Sequence, residues 1–229
     1  MAIVAAAPNG LALDLDTPLT DALLDSLEGV TLPVAGVQEP IRGFARYLSL
    51  HSPEAVSDAT AAEIARVTRR GYGLWLVQHV LNVGWVASAQ LGADLGGAAR
   101  ENGLKVGYLE GGHVAIDVEG TASSGQAVLD FINAWAAEMV KSFPACDYKG
   151  YDSGLTPLQH YEGTPNVHLF WTAPGQTVAV RGAAIHQGQT VTIKGTQYDP
   201  DVIGSDALGG RLIWMVEPEA VAERFKDVA

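Results

Sequence analysis

The run Gly73-Leu74-Trp75-Leu76-Val77-Gln78-His79 is apolar at nearly every position, so neither face of a strand built from it could meet water. Strands buried on both faces belong to parallel sheets covered by helices. The rest of the chain fits that demand. Strand-like segments at residues 10–16, 43–48, 113–120, 147–151 and 167–171 alternate with helix-like segments at 20–27, 60–70, 86–102, 126–142 and 155–161. The helix over 60–70 has a sequence-level start, Thr60-Ala61-Ala62-Glu63, which fits a capping box, and a stop at Gly71. The segment 126–142 places Val128, Leu129, Ile132, Trp135, Ala136 and Val140 on one side. After Trp171 the pattern changes. Segments 177–180, 183–187, 191–194 and 195–198 are β-like and joined by glycine-containing turns, 212–216 reads as a last strand, and 218–225 as a closing helix. The alternation predicts an α/β fold: an irregular TIM-type β/α barrel, helix-poor in its last third, forming one domain over residues 1–229. A doubly wound sheet is the alternative, disfavoured because no glycine-rich phosphate loop follows the first strand.

With 229 residues, 48% of them hydrophobic, the chain can bury a sizeable core. Its 26 acidic and 14 basic residues give a formal charge of −12, which argues against nucleic acid and against docking on anionic lipid. A glycan, read by hydrogen bonds and aromatic stacking, is not excluded. The single cysteine, Cys146, cannot form an intrachain disulfide and reads as a small buried hydrophobe. The apolar start of the chain lacks the basic region of a secretory signal, and no stretch of 18 apolar residues predicts a membrane span. The expectation is a protein made in the cytoplasm. Delivery to a cell wall would then need a holin, a phage or a secretion apparatus.

In a β/α barrel the chemistry sits at the C-terminal ends of the strands. Those ends offer Asp14 and Asp16, Arg46 and Tyr47, Gln78 and His79, Asp117 and Glu119, Trp171, His186 and Gln187, and finally Tyr198, Asp199 and Asp201. Asp117 and Glu119 are the most informative pair. Two residues apart in a strand, they share a face and lie about 6–7 Å apart along the backbone. Glycoside hydrolysis needs one carboxyl as proton donor and one as anion. Each residue also has a structural role open to it. Asp14 or Asp16 could cap the following helix, Arg46 could be a counter-ion, and His79 and His186 could be satisfied core histidines. Trp171 is placed to serve as a sugar platform, and Tyr151 could serve either way. No HxH, HExxH or cysteine-pair spacing predicts a metal, no GxSxG elbow predicts a serine hydrolase, and no cofactor is expected.

The order of pieces is similar to a known group. Arg46-Tyr47-Leu48, the Thr-x-x-Glu helix start, Trp75-x-x-Gln78, Gly112-His113-Val114-Ala115-Ile116-Asp117-Val118-Glu119-Gly120, Ile185-His186-Gln187 and Tyr198-Asp199-Pro200-Asp201 follow one another. Together they resemble the glycoside-hydrolase-like domain of unknown function related to family 25 lysozymes. That resemblance implies an irregular barrel and a muramidase acting on peptidoglycan. It implies Glu119 as general acid and Asp117 as nucleophile or as the group orienting the substrate's acetamido. Asp14, Asp16, Arg46, Gln78, Tyr151, Trp171, Gln187 and Asp199 would bind substrate. The first strand departs from the family's Asp-Val-Ser pattern and offers two acids. A non-catalytic glycan-binding or structural module on the same barrel is the alternative, and no obligate protein partner is implied.

Overall fold

The computed structural model describes residues 1–50, 57–79 and 81–226. Its first half contains β1 (Ala2–Ala5), β2 (Gly10–Asp14), α1 (Asp21–Ser26), β3 (Thr31–Val34), β4 (Val37–Leu48), α2 (Ala61–Arg69), β5 (Gly73–Gln78) and α3 (Ala89–Lys105). The second half contains β6 (Val114–Val118), α4 (Gln126–Met139), β7 (Ala145–Lys149), α5 (Pro157–Gly163), β8 (Val167–Thr172), β9 (Ile185–Gln187), β10 (Val191–Ile193), β11 (Thr196–Ile203), β12 (Ile213–Val216) and α6 (Pro218–Arg224).

Eight strands close into a barrel. β2, β4, β5, β6, β7, β8 and β9 are parallel neighbours in that order, and β11 runs antiparallel between β9 and β2. Helices cover the first part of the barrel and none lies between β8 and β11, as the helix-poor end of the sequence predicts. The antiparallel β11 has a consequence for chemistry. Asp199 pairs with Asp14, so β11 brings this acid to the open end of the barrel from its own first half, not from its C-terminal end.

Burial on both strand faces divides the core in two. Inward residues Ala12, Ala45, Trp75, Val77, Ala115, Cys146, Leu169, Trp171 and Ile185 fill the barrel. Their outward neighbours, including Leu13, Phe44, Leu76, Ile116 and Phe170, pack against Val128, Phe131, Ile132 and Trp135 of α4 and the rest of the helical layer. Cys146 is fully buried inside the barrel, as a small hydrophobe. β1 and β12 form an antiparallel pair that joins β5 through Met215 and Leu74. Trp214 of this pair lies across the first residues of the staves. A Cβ on Gly43 or Gly73 would sit 2.4 Å from its ring, so only glycine fits beneath it.

Several boundaries differ from expectation. β1 and the β3–β4 hairpin are not predicted, and residues 177–180 form no strand. α3 runs through Gly103 to Lys105, and the left-handed residue that ends it is Gly107. β7 starts and ends two residues earlier than predicted. The capping box of α2 is half made. Thr60 Oγ1 accepts from the Glu63 amide, but the Glu63 carboxylate turns away to Arg46 and the Leu19 amide. The complete box lies at α5, between Thr156 and Gln159. No helix among the described residues is long and apolar enough to cross a membrane.

Candidate active site

The open end of the barrel holds a cavity of about 370 Å³, within the range of small-ligand sites. Asp14, Tyr47, Asp117, Glu119, Tyr148, Tyr151, Trp171, Gln187 and Asp199 line it, with Pro174 and the 188–190 turn at its edge. Strand parity explains the membership. On β4, Ala45 points inward, so Tyr47 does too; on β6, Ala115 points inward and Asp117 and Glu119 follow at steps of two. β7 contributes Tyr148 by the same alternation from Cys146.

Asp14 is the hub of a hydrogen-bonded chain. Its Oδ2 accepts from Tyr47 Oη at 2.9 Å and from Gln187 Nε2 at 3.4 Å, and Gln187 Oε1 accepts from Tyr148 Oη at 2.7 Å. One oxygen each of Asp14, Asp117 and Asp201 is buried without a hydrogen-bond partner among the described residues. Carboxylates so poorly solvated favour the protonated form. Burial pushes the Asp14 carboxyl up to about 7, with Asp199 adding repulsion and the Tyr47 hydroxyl opposing. Asp117 is raised well above the carboxylate range by burial, then by the charges of Glu119, Asp14 and Asp147. Asp201, beneath the cavity, is raised well above it by burial and by Asp14; Trp171 Nε1 donates to it at 2.8 Å and opposes the shift. Glu119 is half-buried and therefore reachable. Burial raises its carboxyl, Asp199 adds to that, and the backbone amide of Tyr151 opposes it.

Glu119 sits hard against the chain after β7. A Cβ on Gly150 would lie 2.4 Å from Glu119 Oε2, so this position must be glycine for the loop to pass. Trp85 Nε1 donates to the Glu119 carbonyl at 2.8 Å and fixes the backbone from the other side.

Of the residues expected to bind substrate, Asp14, Tyr151, Trp171, Gln187 and Asp199 line the cavity together with the catalytic candidates. Three do not. Arg46 points outward and is wholly buried, donating to Glu63 at 2.6 Å, to the Ser57 carbonyl at 2.6 Å and to the Leu15 carbonyl. Gln78 also points outward, donating to the Leu95 carbonyl at 2.9 Å and accepting from Trp135 Nε1 at 2.6 Å. Asp16 lies past the strand end, largely exposed and 3.7 Å from His79. Trp171 needs a different role from a sugar platform. Only 1% exposed, it packs edge-on to Trp75 and against Tyr148, and forms the floor. Tyr151, about half exposed at the rim with its hydroxyl on the Pro174 carbonyl, offers the open aromatic face. The residues that sequence reasoning leaves out of the site are Tyr47, Tyr148 and the 188–190 turn. Tyr47 is signalled by its strand-end position. Tyr148 becomes legible only once the register of β7 is known.

The backbone arrangement has known counterparts. A Tat-secreted protein of Mycobacterium tuberculosis, solved with L-tartrate, superposes with a TM-score of 0.62 at 13% identity, covering 89% of this chain and 98% of that one. GHIP, a glycosyl hydrolase 25 of Streptococcus pneumoniae, superposes with a TM-score of 0.53 at 13% identity over 95% and 92%. The fold is of the glycosyl hydrolase 25 type. The modular autolysin LytC of the same organism, in complex with a synthetic peptidoglycan ligand, gives a TM-score of 0.53 at 14% identity; the likeness covers 90% of this chain and 46% of LytC. At these identities the likeness is one of fold. No protein-family model matches the sequence, and no curated protein matches it.

Proposed function

We propose that the barrel cavity is the active site of a glycosidase of the muramidase type, acting on bacterial cell-wall peptidoglycan. One observation carries the reading: Asp117 on β6 and Glu119 just past its end, two residues apart, line a single cavity with Asp14 and Asp199. Glu119 is the general acid. It is the more exposed of the two and so the one a glycosidic oxygen can reach, and burial raises its carboxyl in the direction a proton donor needs. Asp117, deeper and raised further by burial, orients the substrate's acetamido group or, once it has given up its proton, serves as nucleophile. Asp14, held by Tyr47 and Gln187, and Asp199 complete an acidic floor suited to an oxocarbenium-like transition state. Tyr151 at the rim supplies a stacking face.

The substrate class draws support from the fold neighbours, one of them solved with a peptidoglycan ligand. The order of sequence motifs, which resembles the unknown-function relatives of family 25, points to the same class. The test is release of new reducing ends from purified peptidoglycan, comparing the wild type with Glu119→Gln. Release by the wild type alone supports the assignment. Co-sedimentation with the wall and no release from either protein would replace it with a glycan-binding module on the same barrel.

A further inference from the structure

Outside the barrel, on the far face of β7, lies a second ordered constellation. Asp147 is the outward neighbour of the inward-facing Cys146 and Tyr148. Its Oδ2 is 2.7 Å from His160 Nδ1, on α5, and His160 Nε2 is 3.1 Å from Ser153 Oγ. Asp147 and His160 are wholly buried, and Ser153 is 4% exposed. The carboxylate fixes the tautomer: Nδ1–H donates to Asp147, which leaves Nε2 to accept from the Ser153 hydroxyl. These are the contacts of a serine nucleophile with its base and orienting acid. Nucleophilic catalysis also requires a reachable serine, and Ser153 lines none of the cavities described at the barrel mouth or beside it.

The position of Ser153 in the chain gives the constellation another use. It follows Gly150, Tyr151 and Asp152, the segment pressed against Glu119. This segment is bent sharply, with Asp152 and Gly154 both left-handed at φ 51° and 73°. Its other ties among the described residues include the Gly150 amide donating to the Tyr148 carbonyl at 3.2 Å and the packing of Gly154 on the Ser123 backbone. The Tyr151 carbonyl accepts from the Gly120 amide at 3.0 Å, the Gly154 carbonyl accepts from the Gly125 amide at 3.0 Å, and the Tyr151 hydroxyl reaches Pro174. Ser153 supplies a buried side-chain anchor in the middle of the bend.

We propose that Asp147, His160 and Ser153 form a positioning relay that clamps the 150–154 bend, and through it the Tyr151 backbone amide, against the Glu119 carboxyl. The proposal rests on Glu119 being the general acid, but the clamp itself is a claim about geometry. The titratable and charged groups that face Glu119 are Asp117 of β6, Asp199 of β11 and the Tyr148 hydroxyl of β7, beside the Tyr151 amide. Of these, the amide favours the charged form. Loosening the bend takes away that amide together with part of the burial around the carboxyl, so the Glu119 titration is displaced from its wild-type position.

Ser153→Ala removes one hydrogen bond and leaves the His160–Asp147 pair in place; His160→Gln is the second variant should the first fold poorly. The pH profile of reducing-end release is the activity readout. A general acid works while protonated, so the alkaline limb of kcat/KM follows the Glu119 titration and is displaced in both variants, with kcat reduced several-fold. A role confined to stability lowers the melting temperature and leaves the limb where it is, which overturns the proposal. The titration of the Glu119 side-chain carboxyl by NMR, assigned with Glu119→Gln, gives the same answer without turnover. A displaced titration in Ser153→Ala supports the clamp even if the wild type cleaves no peptidoglycan, and an unmoved titration overturns it even if the wild type does. Labelling of Ser153 by a fluorophosphonate also overturns it, by showing an accessible nucleophile.

Discussion

Replacing Glu63 by alanine isolates what Arg46 does. The guanidinium is completely buried, and Glu63 is 3% exposed. Glu63 Oε1 accepts from Arg46 Nε at 2.6 Å and from the Leu19 amide at 2.8 Å, so one oxygen ties β4, α2 and the segment after β2 together. In Glu63→Ala the cation stays buried, hydrogen-bonded among the described residues to the carbonyls of Leu15 and Ser57. Removing one partner of a buried pair costs about 3–5 kcal/mol, because the remaining charge is uncompensated. For a domain of this size that lowers the melting temperature by about 6–20 °C. It is also a large fraction of the roughly 5–15 kcal/mol by which domains are stable. Glu63→Gln, which keeps an acceptor, loses less. The double variant Arg46→Met, Glu63→Leu recovers most of the loss, because no charge remains to be buried. Urea unfolding of the wild type, Arg46→Met, Glu63→Leu and the double variant completes a double-mutant cycle. A Glu63→Ala protein within about 1 kcal/mol of the wild type would refute the argument, since surface-type pairs are worth no more than that. So would an Arg46→Met protein that keeps its stability but loses glycan binding, for then Arg46 would be a ligand.

Three further outcomes follow from the same geometry. Asp14 is raised to about 7 in the folded state, so between roughly pH 4 and 7 the native protein holds a proton that the unfolded chain has released. Stability from this group is present at low pH and is lost as the pH rises through that window; the melting temperature of Asp14→Asn, followed over the same range, shows a shallower fall than that of the wild type. Gly73→Ala drives a Cβ to 2.4 Å from the Trp214 ring and destabilises the barrel by about 1–3 kcal/mol in a denaturant titration, leaving the cavity at the opposite end unchanged. Cys146 is wholly buried with its thiol pushed well up by desolvation, so a thiol reagent such as DTNB reacts only as fast as the protein unfolds; rapid labelling of the native protein would contradict the packing.

The barrel was legible because the period of the pattern changes along the chain. Continuous apolar strands alternate with amphipathic helices up to Trp171, and short β segments follow it. The β6 acids were legible because Asp117 and Glu119 close a strand with no polar residue between Val114 and Ile116. What could not be read was which face of each strand looks inward. Alternation reveals an inward face only when the outer face is polar, and here helices cover it. Arg46 and Tyr47 are adjacent at the end of β4, and nothing local says that Tyr47 enters the cavity while Arg46 enters the helical layer. Gln78 fails for the same reason: its neighbour Val77 points inward, so Gln78 meets Trp135 and Leu95. The reversed direction of β11 was hidden too, because a three-residue β9 and a small hairpin carry no directional signal. Glu63 shows a local motif overridden by packing, since its charge serves the buried Arg46 better than an exposed helix end.

The most direct test of the central claim is the chemistry of the new chain ends released from purified peptidoglycan. Borohydride reduction of the products followed by mass spectrometry identifies the terminal sugar. The account predicts ends terminating in reduced N-acetylmuramic acid from the wild type and none above background from Glu119→Gln. Ends terminating in reduced N-acetylglucosamine, or equal release by the two proteins, would contradict it.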